Sequence, residues 1–114
     1  MTARCILIEA MRRGIRLEPE GENQLAFYYD GEVDADFQLI LRYHKPVLLK
    51  LLRTKRHTAR QALAGEFDGA DAGTWHGVME SLLENAYDPQ CSRAVDHLKK
   101  SIGRIHDEHF DDHQ

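Results

Sequence analysis

The chain has 114 residues, of which 42% are apolar and 30% charged, and its formal net charge is −4. This balance is typical of a soluble globular protein, excludes an intrinsically disordered chain, and fits one compact domain or two very small ones that share a core. The longest nearly apolar run, Phe37–Leu41, is interrupted by Gln38, so no segment is expected to span a bilayer.

The first predicted element is a short helix at the N-terminus. Thr2 can serve as its N-cap, and Leu7, Ala10 and Met11 recur at helical spacing. Two arginines and then Gly14 come after this run. Cations favour the last turn of a helix and glycine readily adopts the left-handed conformation beyond it, so the helix should end here.

A period of two replaces the helical period after Gly14. Apolar side chains alternate with polar or less buried ones over Ile15–Glu18 and again over Leu25–Asp30. The turn-forming residues between the two runs are Pro19, Gly21 and Asn23. This pattern predicts a two-stranded hairpin with one apolar face, which must pack on helices because an isolated hairpin is only marginally stable.

Helical spacing returns after Gly31, with Asp34 or Asp36 as the expected N-cap. Pro46 lies inside the pattern and lacks a backbone donor, so we expect two helices that meet near residues 44–46. The residues on the predicted inner face are Phe37, Ile40, Leu41, His44, Leu48, Leu51 and Leu52.

Two more helices are predicted in the remainder of the chain. Gly65, Gly69 and Gly73 indicate a loop, after which Thr74 is the expected N-cap of an amphipathic helix. Asp88-Pro89 is typical of a helix start and predicts the last helix. The apolar stripes of the two helices comprise Trp75, Val78, Met79, Leu82, Leu83 and Ala86, and then Cys91, Ala94, Val95, Leu98, Ile102 and Ile105.

The predicted fold class is therefore α+β: a helix, a two-stranded β-hairpin and two helices (αββαα), followed by a C-terminal antiparallel helical hairpin. We expect a first unit over residues 1–56. A second unit over residues 57–114 would pack on the first or mediate dimerisation.

The most specific motifs of the first unit are G-I-x-L at Gly14–Leu17 and H-K-P-x-L-L-x-L-L-R at His44–Arg53. The other matching positions are Leu7, Met11, Leu25, Gly31, Val33, Phe37 and Leu41. With them, residues 4–54 resemble the small N-terminal docking domain of some bacterial megasynthase subunits, the tubulysin-synthase (TubC) type. The resemblance implies a helix–hairpin–helix–helix fold that captures a short linear peptide of a partner along the hairpin, with charged hairpin residues setting pair choice.

The chain departs from that family after residue 54. In megasynthases a large catalytic domain comes after the docking domain, whereas here the docking pattern leads into a helical segment of about fifty residues. Fold transfers better than function under such a change. Free-standing proteins with this N-terminal pattern also resemble products of bacterial mobile elements.

The hairpin is the first candidate site. An extended peptide could add a third strand to an open edge, and outward side chains would choose that peptide. The alternative is that these side chains only solvate the exposed face while the C-terminal helices cover the edge. The candidate partner-binding residues are Arg12, Arg16, Glu18, Ala26 and Tyr28.

A run of seven cations without an acid is the second candidate: Arg42, Lys45, Lys50, Arg53, Lys55, Arg56 and Arg60. It comes after residues 15–36, which hold seven acids and the single base Arg16. Such a run could neutralise nucleic-acid phosphates, contact an acidic protein, or be a solvated face attracted to the acidic part of the chain. The overall acidity of the chain argues against a dedicated nucleic-acid binder.

Catalytic and metal-binding patterns are weak. Cys91 and His97 would point to different sides of one helix, and the residues His106, His109 and His113 near the C-terminus are more typical of a solvated terminus than of a metal site. Trp75 and His44 are expected to pack in the core. We therefore predict no enzyme activity and no cofactor. Since no export signal precedes the first helix, we expect a cytoplasmic protein in which Cys5 and Cys91 are buried, reduced thiols.

The favoured function is a non-enzymatic docking or adaptor module for a protein or peptide partner, with no membrane partner. One alternative is a phage or mobile-element inhibitor of a host defence nuclease, similar to an anti-CRISPR protein. The other is a nucleic-acid-binding accessory protein that uses the basic run at residues 42–60.

Overall fold

The computed structural model describes the backbone of residues 2–111 and the side chains of residues 2–101. The fold is α+β, with a two-stranded antiparallel hairpin and, over the described residues, five helices. The elements in chain order are α1 (Ala3–Arg12), β1 (Arg16–Glu20), β2 (Gln24–Tyr28), α2 (Ala35–Tyr43), α3 (Lys45–Leu63), α4 (Ala72–Leu83) and α5 (Pro89–Asp111).

Both ends of α1 are made as the sequence predicts. The Thr2 hydroxyl accepts a hydrogen bond from the Cys5 amide at 3.2 Å, which satisfies one of the free donors of the first turn. Gly14 has a φ of 79° and ends the helix, and the amide of Ile15 then donates to the Ala10 carbonyl at 2.8 Å. That backward bond is characteristic of a glycine-terminated helix.

The hairpin has a regular register that runs from Arg16 opposite Tyr28 to Glu20 opposite Gln24. Its turn begins at Gly21, with a φ of 60°, and is held against α3 by Arg53. The Arg53 guanidinium donates to the carbonyls of Gly21, at 3.0 Å, and Glu22. A helix residue therefore anchors the turn.

The expected meeting of two helices near residues 44–46 is confirmed: α2 ends at Tyr43, α3 begins at Lys45, and Pro46 is the second residue of α3. Asp34 occupies the N-cap position of α2, but its side chain makes no capping hydrogen bond. At the break the His44 amide still donates to the Ile40 carbonyl and the His44 carbonyl accepts from the Leu48 amide, whereas Pro46 has no amide hydrogen to donate.

The start of α4 differs from the sequence expectation. Asp71, and not Thr74, is the N-cap, and its carboxylate accepts from the Thr74 amide at 2.8 Å. Gly73 consequently lies inside the helix and not in the loop. Both Asp71 and Thr74 are good capping residues, and the helix uses the earlier one.

The start of α5 was predicted correctly, since the carboxylate of Asp88 accepts from the Gln90 amide at 2.8 Å and Pro89 is the first helical residue.

Two hydrophobic clusters lie along α3. The first joins α1, the hairpin, α2 and the first half of α3 up to Leu52, and the second joins the later part of α3 from Ala59 to α4 and α5. The helix α3 thus passes through the boundary drawn between residues 56 and 57. Lys55 lies between the two clusters and is only 3% exposed.

The expectation for the cysteines was half wrong. Cys91 is buried, whereas Cys5 lies on the exposed side of α1, and both are free thiols.

In the part of the chain that the structure describes, no helix combines the length and apolar character that a membrane crossing requires.

Candidate docking surface

Neither strand of the hairpin pairs with a third strand among the described residues. The edge of β1 contains Pro19, which cannot donate a backbone hydrogen bond. The edge of β2 has no proline over Gln24–Tyr28, so each of its residues carries both a donor and an acceptor. The β2 edge is therefore the better template for an added strand.

Exposed aromatic rings border the C-terminal end of β2. Phe27, Tyr28 and Tyr29 are each 40–44% exposed, and Tyr87, from the segment between α4 and α5, is 47% exposed. Together with Gly14, Arg16 and Asp30 they line an open groove of about 860 Å³. We call this groove, with its seven lining residues, the aromatic groove.

Side chains on the outer face of the hairpin hold one another in place. The Arg16 guanidinium lies 4.6 Å above the Tyr28 ring, and the Tyr28 hydroxyl donates to Glu20 at 2.6 Å. That hydrogen bond to a carboxylate raises the pKa of Tyr28, because the neutral hydroxyl is the donor. Arg16 Nε is buried and has no hydrogen-bond partner among the described residues. The nearest acid to it is Glu18, whose carboxylate oxygen lies 3.8 Å from Nε.

Glu18 and Ala26 face each other across the strands on the same side as Arg16 and Tyr28. Glu18 accepts from Arg56 of α3 at 3.3 Å, and its side chain is only 17% exposed. Arg12 lies at the end of α1 and is exposed, 3.7 Å from Glu9. Of the five predicted partner-binding residues, Arg16 and Tyr28 line the groove, whereas Glu18 is engaged by this chain's own helix.

The basic run does not form one surface. Lys55 is buried and donates to the Ser81 carbonyl at 2.6 Å, to the Ser81 hydroxyl at 3.1 Å and to Glu84 at 3.1 Å. Arg53 binds the hairpin turn, and Arg56 donates to Asp88 at 2.6 Å. The four remaining cations are exposed: Arg42, Lys45, Lys50 and Arg60. Three of the seven positive charges thus hold elements of the fold together.

Glu84 is shared between two cations, since Arg4 Nη2 lies 2.6 Å from one of its carboxylate oxygens and Lys55 Nζ lies 3.1 Å from the other. Burial alone would raise the pKa of Glu84, but the hydrogen bonds from Arg4 and Lys55 outweigh it and lower the pKa below its ordinary value. The carboxylate therefore stays ionised beside the buried Lys55.

The residues considered for catalysis do not come together. Burial, and next the charge of Asp88, raise the pKa of Cys91 to about 11, so its thiol is a poor nucleophile. Its sulfur lies 3.7 Å from the Asn85 amide nitrogen, whereas His97 contacts Asp68 at 3.1 Å. Trp75 packs on the second cluster, and His44 is half-buried at the bend between α2 and α3.

No cluster of metal-ligating side chains occurs within the described residues. The predicted tail histidines, His106, His109 and His113, lie outside the residues whose side chains the structure describes.

Sequence reasoning did not single out Phe27, Tyr29, Asp30 or Tyr87 as site residues. The alternation predicts Phe27 and Tyr29 on the inner face, and Phe27 does lie opposite the buried Leu17, yet both rings are exposed. Nothing near Tyr87 in sequence indicates that it would lie beside the hairpin.

Comparison with protein-family models, curated proteins and solved structures found no match to this chain.

Proposed function

We propose that this protein is a docking module that captures an extended segment of a partner protein along the free edge of β2. The observation that carries the proposal is the position of the aromatic groove at the end of that edge. Main-chain hydrogen bonds to β2 would supply a sequence-independent part of the affinity, and side chains entering the groove would supply specificity. This is the mode of peptide capture that the TubC-type resemblance implies.

The charge around the hairpin defines the preferred segment. Exposed carboxylates surround the hairpin and the start of α2, at Glu20, Glu22, Asp30, Glu32 and Asp34. Exposed tyrosine and phenylalanine faces also attract cations. We therefore expect an extended segment with lysine or arginine at alternate positions. The association rate with such a segment should fall as salt rises.

The C-terminal half has a role in this proposal beyond covering the core. Arg56 binds Asp88, and Tyr87, the residue before it, lines the aromatic groove. In the proposed arrangement α4 and α5 form an antiparallel helical hairpin whose connecting segment completes the docking surface. This would explain why the docking fold is followed by helices of its own chain.

Two other functions use the same chain differently. A nuclease inhibitor would be a special case of protein docking, in which the captured segment belongs to a defence nuclease. A nucleic-acid role would rest on the four exposed cations Arg42, Lys45, Lys50 and Arg60, because the other three of the run are bound within the fold. Docking without catalysis is the function that the arrangement supports best.

A selection from a random peptide library against the immobilised chain tests the proposal. We expect enrichment of extended, lysine- or arginine-rich sequences, with Kd values in the micromolar range at about 50 mM salt, since a short added strand buries a small area. The matched variants are Tyr87→Ala and Tyr43→Ala. Both remove an exposed tyrosine, but only Tyr87 lines the groove.

Selected peptides should bind the Tyr87→Ala variant about tenfold more weakly and the Tyr43→Ala variant unchanged. Protection of the β2 amides from hydrogen exchange on peptide binding would confirm strand addition. Enrichment of no peptide, together with salt-sensitive binding of single- or double-stranded nucleic acid that depends on Arg42 and Lys45, would replace docking with the nucleic-acid function.

A further inference from the structure

A partly enclosed cavity lies in the second half of the chain, where the segment between α3 and α4 meets the start of α4 and the described part of α5. Its volume is about 730 Å³, which is within the range of pockets that hold drug-sized molecules. Its lining is mostly apolar. The residues that form most of this lining are Phe67, Asp68, Ala70, Ala72, Trp75 and Ser101. We call this site the α4 cavity.

The backbone around the α4 cavity is held by local hydrogen bonds. The amide of Asp68 donates to the Gly65 carbonyl at 3.2 Å, and the amide of Ala70 donates to the Phe67 carbonyl at 3.1 Å. The carboxylate of Asp71 then caps α4. Because each bond joins residues within a few positions of one another, the cavity has a defined shape, and a bound molecule would not need to order a loop.

Two aromatic rings belong to the apolar lining. Phe67 and Trp75 pack against the second hydrophobic cluster, yet both stay partly exposed and line the α4 cavity. Ala70 and Ala72 add only methyl groups, which occupy little of the space. Aromatic side chains bind other rings by stacking or edge contacts, and their faces attract organic cations. The lining therefore suits an aromatic ligand.

Asp68 brings a negative charge to the α4 cavity. Its Oδ1 accepts from the Ser101 hydroxyl at 3.3 Å and lies 3.1 Å from Nε2 of His97. A carboxylate has about four acceptor positions, so Asp68, whose side chain is 45% exposed, can accept further hydrogen bonds from a ligand. No lysine or arginine occurs among the described residues that line the cavity. The lining therefore favours a ligand with a positive charge.

We propose that the α4 cavity binds a small aromatic amine, with its ring against Phe67 and Trp75 and its ammonium group at Asp68. The apolar lining selects the ring, and the carboxylate selects a cation over a neutral or anionic group of the same shape. No residue lines both this cavity and the aromatic groove. The chain would therefore carry a small-molecule site in addition to its docking surface.

Three probes of nearly the same shape test the proposal: 2-phenylethylamine, 2-phenylethanol and phenylacetate. Trp75 is the only tryptophan of the chain, so its fluorescence reports on the cavity at a wavelength that the probes do not absorb. We expect 2-phenylethylamine to bind with a Kd of roughly 0.1–1 mM, since so small a ligand gains limited affinity. 2-Phenylethanol should bind about fivefold more weakly, and phenylacetate more weakly still. Titration at about pH 8 keeps the amine charged and histidine side chains neutral.

Asp68→Asn separates the effect of the charge from that of the apolar lining. The variant keeps an acceptor for Ser101 and His97 but loses the negative charge. It should bind 2-phenylethylamine about fivefold more weakly and 2-phenylethanol within about twofold of the unaltered chain. Asp96→Asn is the matched control, because Asp96 is an exposed acid of α5 that does not line the cavity, and it should change neither Kd.

Ala72→Phe tests the position of the bound probe. Ala72 is exposed and lines the cavity, so the larger side chain should occupy the space for the ring and weaken binding of both the amine and the alcohol about tenfold. Ala64→Phe is the matched control at an exposed alanine outside the cavity, and it should bind the probes like the unaltered chain. Circular dichroism and thermal unfolding check that both variants are folded.

Equal affinity of the unaltered chain for 2-phenylethylamine and 2-phenylethanol overturns the proposal, as does unchanged binding by Ala72→Phe. The absence of a fluorescence change up to about 10 mM amine also overturns it. Amide chemical shifts that change on adding the amine should belong mainly to residues 67–76, and changes confined to other parts of the chain place the probe elsewhere and refute the site. Peptide capture should be the same in Ala72→Phe and the unaltered chain, so this proposal and the docking function fail separately.

Discussion

Arg56 Nε lies 2.6 Å from Oδ2 of Asp88, a carboxylate with no exposed surface, although 32 positions separate the two residues in the chain. The same guanidinium reaches Glu18 of β1 at 3.3 Å. One side chain of α3 thereby connects the hairpin to the start of α5. Tyr87, which lines the aromatic groove, precedes Asp88 directly in the chain.

Replacing Arg56 with methionine should destabilise the fold by about 3 kcal/mol. The apolar part of the side chain is kept, but Asp88 would remain buried without its cation, and such an uncompensated charge is costly. Urea unfolding followed by circular dichroism measures the change. Arg60→Met is the matched control on the same helix, and its exposed site predicts a change within about 0.5 kcal/mol. Equal losses in both variants would show that the Arg56–Asp88 contact does not support the fold.

Acid should weaken the fold partly through Glu84. Its pKa is lower in the folded chain than in the unfolded one, so its contribution is fully present above the ordinary glutamate pKa of about 4.3 and is lost as the pH falls below it. The Glu84→Gln variant should therefore be less stable at neutral pH and lose less stability between about pH 6 and pH 3. Unfolding curves at several pH values measure both effects. If the free energy of unfolding falls equally steeply with acid in both proteins, Glu84 does not contribute to the acid sensitivity.

The two cysteines should differ sharply in reactivity. Cys5 is exposed, whereas Cys91 is buried and has a pKa raised to about 11. At pH 8 an alkylating reagent should label Cys5 within minutes and Cys91 only when the chain opens, which peptide mass spectrometry can follow separately. Comparable labelling of both in the native protein would mean that the second cluster is open. Above about pH 8.5 the unfolded thiol ionises first, so the contribution of Cys91 to stability should decline as the pH rises towards 11.

Two glycine substitutions should change the free energy of unfolding in opposite directions. Gly14→Ala puts a side chain at a φ of 79° and should cost about 1 kcal/mol, because the left-handed conformation is unfavourable for alanine. The added carbon would meet only the edge of Tyr29 at 3.9 Å, so the cost comes from the backbone. Gly77→Ala lies within α4 with open space around it and should stabilise by about 0.5–1 kcal/mol. Thermal unfolding of both variants measures the pair, and a loss at Gly77 would contradict its assignment to a regular helix.

The amino-acid sequence by itself determined most of the local structure. Thr2, Gly14, Pro46 and the Asp88-Pro89 pair each act on backbone groups within a few residues, so helix ends and the bend between α2 and α3 could be predicted. The hairpin was predictable from its period of two. The misplaced start of α4 is the expected kind of error, because Asp71 and Thr74 are competing caps of similar strength.

Only the tertiary structure decided which charges face solvent and which hold the fold together. Lys55, Arg56 and Lys50 are equivalent members of one basic run in the sequence, yet the first two are engaged by Glu84 and Asp88 while Lys50 is exposed. The position of Tyr87 beside β2 likewise depends on how α3 and α5 pack. Burial and ion pairing are properties of surfaces that meet from distant parts of the chain, and spacing along the sequence does not encode which surfaces will meet.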